Sequence, residues 1–219
     1  MWIRSAVTTL ALAFPQFALA ACDTPICRVD PATLILSELI HFDDMPSGWD
    51  PGHRIDDMLS LPGASFAERF AGQTLTTRGD FDAVSGPALP PLTLVPGKPG
   101  QTLSVVRLMN SNILNGYGPA GYPKTRGQGE GAIAVLFDVD QPALSVQLLG
   151  GEHGMAEIQF LNRSGGVIHV AHIDTNGPLS LGFLRNDDIA DIAGFVITNT
   201  DPQGLAIDNL RFGPPPQLG

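Results

Sequence analysis

Five histidines, 22 acidic side chains, two tyrosines and two cysteines are the groups of this 219-residue chain that could do chemistry. The histidines stand apart, at His41, His53, His153, His169 and His172. His169 and His172 are an odd number of positions apart, so on a strand they face opposite ways and cannot share a zinc ion. His172 and Asp174 do share a face, an arrangement commoner in surface hydrogen bonding than in catalysis. Glycoside hydrolysis needs two carboxyl groups flanking one bond, and Glu130, Glu152 and Glu157 are available, but sequence spacing selects no pair among them. No G-x-S-x-G elbow, H-E-x-x-H helix or Walker loop occurs. Gly127-Gln128-Gly129-Glu130-Gly131 has the glycines of a phosphate loop, yet it precedes a strand instead of a helix N-terminus and reads as a flexible turn. The expectation is therefore no catalytic residue. Tyr117 and Tyr122 share a Gly-rich segment with Lys124 and Arg126, and their rings could stack on the apolar face of a sugar. The same two rings could equally pin that segment to the domain. Trp49 reads as a lid on the core.

Cys22 and Cys27 fit a short disulfide loop formed in an oxidising compartment. Upstream of them, one charge at Arg4, an apolar stretch over residues 6–14, the break at Pro15-Gln16 and the small residues Ala18-Leu19-Ala20 predict a signal peptide over residues 1–20. Its apolar stretch of about nine residues is far short of the roughly twenty that span a bilayer. Leu19-Ala20-Ala21-Cys22 also reads as a lipobox, in which Cys22 would carry a lipid anchor and leave Cys27 unpaired. Pro15, six residues before a cut after Ala20, favours ordinary cleavage. The expected location is thus secreted or periplasmic, with a lipoprotein anchored through Cys22 as the alternative. A net charge of −10 repels phosphate backbones and anionic head groups, which argues against nucleic acid and membrane surfaces as partners. It is compatible with bound cations.

These groups must be positioned by strands. Gly 25 and Pro 19 suit short strands joined by turns, and no segment beyond the signal peptide carries a long i, i+3, i+4 apolar stripe. Strand character is found over residues 34–42, 64–70, 102–109, 132–137, 144–149, 156–161, 167–173, 179–184, 192–197 and 205–212. The runs 156–161 and 167–172 around Asn162-Arg163-Ser164-Gly165-Gly166 predict a β-hairpin. Residues 87–100 and 110–131 are expected to be long loops, where function tends to sit. The pattern predicts a single all-β domain over residues 33–213, a sandwich or barrel. An N-terminal segment of residues 21–32 with the disulfide precedes it. A disordered tail over residues 214–219, without an apolar anchor, follows.

Three short pieces carry a resemblance: Phe42-Asp43-Asp44-Met45-Pro46-Ser47-Gly48, Gly131-Ala132-Ile133-Ala134-Val135-Leu136-Phe137-Asp138, and Ile207-Asp208-Asn209-Leu210-Arg211-Phe212. The chain resembles the jelly-roll domains of bacterial exported proteins, many with a PEP-CTERM sorting tail, that open on F-D-D-L-P-x-G and close on D-N-[LVI]-x-[FY]. The resemblance implies a two-sheet antiparallel jelly-roll sandwich like carbohydrate-binding modules or galactose-binding-like domains, whose first and last strands meet and often hold a structural Ca²⁺. This chain departs from the sorted members in lacking a C-terminal transmembrane helix with a basic end. Side-chain alternation adds its own reason for a cation. It places Asp208 on the face of Leu210 and Phe212, and Asp44 on the face of Ile40 and Phe42. Buried carboxylates are costly, and a hard cation held by Asp43, Asp44 and Asp208 with nearby carbonyls is one remedy. Capping of the turn by Asp43 and Asp44, with Asp208 on backbone N–H groups, is the other.

The function expected from these readings is a non-catalytic exported module that binds an extracellular or periplasmic glycan and carries a structural calcium ion. A structural or matrix protein whose role is assembly, without a small ligand, is the alternative. A polysaccharide-active enzyme is the second.

Overall fold

The computed structural model describes residues 22–151, 153–186 and 189–215. The expected signal peptide, the alanines of the lipobox, Glu152 and most of the expected tail lie outside the described residues.

Two antiparallel sheets form the body of the structure. The larger has eight strands. In spatial order they are β1 (Ile26–Val29), β16 (Leu179–Arg185), β13 (Ala143–Gly150), β18 (Leu205–Phe212), β11 (Ser111–Gly116), β10 (Leu103–Leu108) and β3 (His53–Ile55). The eighth, β2 (Glu38–Ile40), pairs with the far end of β18. The smaller sheet runs β15 (Val167–Thr175), β14 (Gly154–Leu161), β17 (Ile192–Asn199), β12 (Ile133–Gln141), β5 (Ala64–Ala67) and β4 (Leu59–Leu61). Two ribbons complete it: β6 (Arg69–Phe70) with β9 (Leu94–Val95), and β7 (Thr74–Arg78) with β8 (Phe81–Ser85). The expectation of an all-β sandwich holds.

Period-two alternation sends one side of each sheet into a common core. Val105, Leu114, Leu148 and Ile207 of the larger sheet meet Phe66, Val135, Phe160 and Phe195 of the smaller. Phe160 packs between Phe183 and Phe195, with ring centroids at 4.9 and 6.0 Å, an arrangement worth about 1 kcal/mol per pair beyond burial. The outer face of the smaller sheet is apolar too. Small side chains there, among them Ala67, Ala132, Ala134 and Ala193, let Phe70, Val84, Leu92 and Leu94 from the two ribbons and their connection close over it. Strands β12 and β17 are therefore buried on both sides over most of their length, which is why their sequences read as unbroken apolar runs.

The hairpin of β14 and β15 forms as the sequence predicts, from Gly154 opposite Thr175 to Leu161 opposite Val167. Asn162 organises its turn, its Oδ1 accepting the backbone N–H groups of Ser164 and Gly166 at 3.1 and 2.9 Å. Gly165 takes φ +83°, a value that favours glycine. The Cys22–Cys27 disulfide is also present, with its Cα atoms 5.6 Å apart.

Three expectations need correction. The sandwich begins before residue 33, because β1 pairs along its whole length with β16 and buries Ile26. The loop expected over residues 110–131 opens with β11, a strand held between β10 and β18. Its sequence, Ser-Asn-Ile-Leu-Asn-Gly, has weak strand propensity, and pairing on both sides overrides that weakness. The strand expected over residues 34–42 shrinks to β2, since Pro31 starts a 3-10 turn and the chain enters a second turn after Ile40. No helix among the described residues is long and apolar enough to cross a membrane.

Candidate functional site

The end of β18 decides where the carboxylates go. Simple alternation would put Asp208 with Leu210 and Phe212 in the core, but Asn209 adopts φ +46° and the pairing of β13 with β18 skips there. Asparagine tolerates this left-handed conformation better than most residues. The bulge resets the alternation, so Ile207 and Leu210 both face the core and Asp208 turns to the outer face of the larger sheet. On that face Ser111 Oγ lies 3.0 Å from Asp208 Oδ2 and 3.2 Å from Asp43 Oδ1. Asn112 N–H donates to Asp43 Oδ1 at 2.7 Å, while its side-chain amide donates to the carbonyls of Phe42 and Asp43 at 3.2 and 3.1 Å. Asn209 Nδ2 reaches Asp208 Oδ2 at 3.1 Å and Gln147 Oε1 at 2.9 Å.

Ser111 has one hydroxyl proton to give and two carboxylates beside it. Asp208 is 3% exposed, and its Oδ1 has no hydrogen-bond partner among the described residues. Burial raises its pKa above the ordinary range, Asp43 adds to the rise, and donors from Asn209 and Ser111 oppose it. Of the expected cation ligands, Asp43 and Asp208 are thus brought to one node. Asp44 is not. The turn closed by Met45 N–H on Phe42 O at 3.0 Å leaves its side chain 95% exposed. Among the described residues no group of three or more His, Cys, Asp or Glu side chains is placed to hold a metal ion. A cation at this node would draw on two carboxylates plus hydroxyl and backbone oxygens, the donor chemistry of Ca²⁺.

A second set of carboxylates gathers beside the ribbons. Glu68 follows β5 between the buried Ala67 and Phe70, is itself only 2% exposed, and forms an ion pair with Arg69. Asp82 on β8 shares the inward face with Val84, and its Oδ2 accepts the N–H of Ala132 at 3.2 Å. Gln73 is fixed at both ends of its amide: Oε1 accepts the N–H of Phe70 at 3.0 Å and Nε2 donates to Gln159 at 2.7 Å. Together with Lys98 and Gln101 these side chains line a cleft of about 560 Å³. Burial pushes Asp82 up to about 7, opposed by the Ala132 N–H and reinforced by the charge of Glu68. Burial raises Glu68 as well, against the pull of Arg69 and Lys98. Nearby, Glu130 carries a buried Oε2 without a partner among the described residues, and burial pushes it up to about 8, with Asp80 and Asp201 adding to the rise.

Sequence reasoning nominated Glu130 and passed over Glu68 and Asp82. The signals were present: a charged pair inside the apolar run Phe66-Ala67-Glu68-Arg69-Phe70, and an acid in step with Val84 on an alternating strand.

Tyr117 and Tyr122 do come together, with ring centroids 5.6 Å apart. Tyr117 is 1% exposed, however, and its hydroxyl donates to Lys124 O at 2.9 Å. Burial pushes this phenol up to about 12. It holds the segment from inside, so its ring has no open face for a sugar. Arg54 stands over Tyr122, 5.7 Å from the ring centroid. Trp49 is not a lid: it is 69% exposed. His169 and His172 sit opposite Phe160 and Glu157, and His172 Nδ1 lies 3.8 Å from Glu157 Oε2 across the strand pair. Comparison with protein-family models, with curated proteins and with solved structures finds no match to this chain.

Proposed function

We propose that this chain is an exported, non-catalytic sandwich of the jelly-roll, carbohydrate-binding-module type, and that it binds an extracellular or periplasmic glycan in the Glu68–Asp82 cleft. The observation that carries the proposal is the lining of that cleft. Planar acid, amide and guanidinium groups, from Glu68, Asp82, Gln73, Gln101 and Arg69, converge in one concavity. A sugar presents hydroxyl groups that both donate and accept, and such groups match them from fixed positions. Screening the processed domain on a glycan array and measuring the hits by calorimetry tests it. The Lys98→Ala, Gln101→Ala double variant is expected to lose about tenfold in affinity or more, equivalent to about 1.4 kcal/mol. Absence of any binding by the unaltered domain overturns the proposal.

A structural Ca²⁺ at Asp43 and Asp208 belongs to the same reading, supported by the unpartnered Asp208 Oδ1. Extracellular calcium fills sites with dissociation constants of roughly 10⁻⁴ to 10⁻³ M. The disulfide supports an oxidising location. A Cys22 thiol committed to Cys27 is not free to carry a thioether lipid, which favours release over a lipid anchor.

Two observations favour other readings. Glu68 and Asp82 share one cleft with raised pKa values, as a glycosidase requires of its acid, and this supports a polysaccharide-active enzyme. Release of reducing ends from the bound glycan, lost in Asp82→Asn, would establish it. Strand β15 forms an edge of the smaller sheet, has nine residues and lacks proline, which suits strand-to-strand assembly. Sedimentation at increasing concentration separates that case from a monomer.

A further inference from the structure

Trp49 lies on a segment whose backbone is fixed while its ring is free. Gly48 bridges Val106, and its carbonyl accepts the N–H of Arg107 at 2.8 Å. The turn closes with Gly52 N–H on Trp49 O at 2.8 Å. Gly52 has φ +83°, and a Cβ there would fall 2.6 Å from Val106 Cγ2 and 2.7 Å from Val105 O. The chain over residues 48–52 is thus pressed against β10 at both ends, and only a glycine at 52 permits it. Burying a tryptophan removes 150–250 Å² of surface from water, roughly, so a domain that spends its phenylalanines on the core has forgone that gain at position 49. The indole remains 69% exposed on a backbone that does not need it for packing.

Its surroundings are amphipathic. Beyond Arg107 the β10–β11 hairpin presents Leu108 at 44% and Met109 at 82% exposure. Across that hairpin, Arg107 pairs with Asn112 and Leu108 with Ser111, the residues that hold Asp43. Asp44 precedes the segment in sequence and Asp50 lies within it. An open aromatic face matches a pyranose ring, which offers C–H groups on one face and hydroxyls at its rim. The same carboxylates, on a chain of net charge −10, disfavour an anionic bilayer, an acidic polysaccharide and a second copy of the chain.

We propose that Trp49 is the stacking platform of a second carbohydrate site, selective for neutral or basic sugars and separate from the Glu68–Asp82 cleft. Gln101 of the cleft lies before β10 begins, whereas Arg107, whose N–H is bonded to Gly48 O, lies near the far end of that strand, and no residue of the 48–52 segment lines the cleft. The inference rests on the glycan-binding reading, and the experiment separates the two. Trp2 falls in the expected signal peptide, so Trp49 is the single tryptophan of the processed chain and intrinsic fluorescence reports on it alone.

The processed domain is titrated with neutral and N-acetylated hexasaccharides of the glucan, mannan and chitin series while emission and heat are recorded in parallel. A saturable change in emission is expected, with about tenfold or greater loss of affinity in Trp49→Ala and an unchanged melting temperature. Trp49→Tyr is expected to recover part of the binding. Heat of binding without an emission change, and with full affinity in Trp49→Ala, overturns the platform and leaves the cleft reading standing. Absence of heat with every sugar overturns both. An emission change produced instead by phosphatidylglycerol or phosphatidylcholine vesicles, or by raising protein concentration alone, overturns the platform in favour of a lipid or self-association surface.

Discussion

The Asp43–Asp208 node buries one carboxylate, Asp208, and leaves Asp43 half exposed, whereas the Glu68–Asp82 cleft buries both of its own, and the two regions satisfy them by different means. At the node, donors from β11 and from Asn209 reach two carboxylates, and His41 Nδ1 lies 3.8 Å from Asp43 Oδ2. In the cleft, Arg69 and Lys98 supply positive charge to Glu68, while Asp82 receives one backbone N–H and a pKa of about 7. A buried carboxylate has two ways out of its desolvation penalty besides hydrogen bonding: an opposite charge or a proton. At the node burial raises Asp208, and a cation is the opposite charge we propose for it. The cleft uses both. The proposed cation predicts that the node answers to calcium and the cleft does not, while both follow pH, through Asp208 in the one and Asp82 in the other.

The largest effect should be the pH dependence of the cleft. Asp82 has a folded pKa of about 7 against an ordinary 3.8. Between those values the folded state retains a proton that the unfolded state has released, so stability is highest at low pH and declines as pH rises through that window. The decline is at most roughly 4 kcal/mol. Glu130 acts in the same direction, from 4.5 to about 8. The melting temperature should therefore fall from pH 5 to pH 8. Asp82→Asn, which keeps an oxygen for Ala132 N–H, should flatten the fall and raise stability above pH 7. Identical slopes in the two proteins would dissolve the contrast between the regions.

Calcium should act next in size. At 100 times its dissociation constant it stabilises by about 2.7 kcal/mol through mass action, seen as a rise in melting temperature reversed by EDTA. Asp208→Asn should abolish that rise, and Asp82→Asn should leave it intact. A calcium response in Asp208→Asn, or none in the unaltered domain, removes the cation from the node. The smallest effect tests the aromatic pair as a third, purely structural region. Tyr117→Phe loses one hydroxyl donor to Lys124 O, and chemical denaturation should register about 1 kcal/mol of destabilisation with glycan affinity unchanged.

How much of this was visible in the sequence differs between the regions for physical reasons. Asp43 and Asp208 were legible because each sits in a short motif beside a turn or a strand end. The face of Asp208 was not, because alternation presumes an unbroken ladder and Asn209 inserts a residue into it. Asp44 failed as a ligand because the turn after Ile40 ended the alternation that was meant to aim it. Glu68 and Asp82 are separated by Gln73 and the whole of β7, and the ribbon that folds back over the smaller sheet brings them together, a tertiary event with no local signature. Strand β11 was lost for a similar reason, its partners outweighing its propensity. Trp49 was misplaced by a sound general rule, that large aromatics go inside, applied where the backbone of Gly48 and Gly52 already fills the space against β10.

The two-sided burial of β12 and β17 has a consequence in time. Amide groups in strands shielded on both faces, and paired on both edges, open to solvent only when the whole domain unfolds, whereas those of β15 and the ribbons open locally. Where an opened state is lost faster than it recloses, the useful lifetime of such a domain is set by the rate of that global opening. The alanine-rich outer face of the smaller sheet, by admitting the ribbons as a second layer, places the most protected strands at the middle of the molecule and makes duration a property of its architecture.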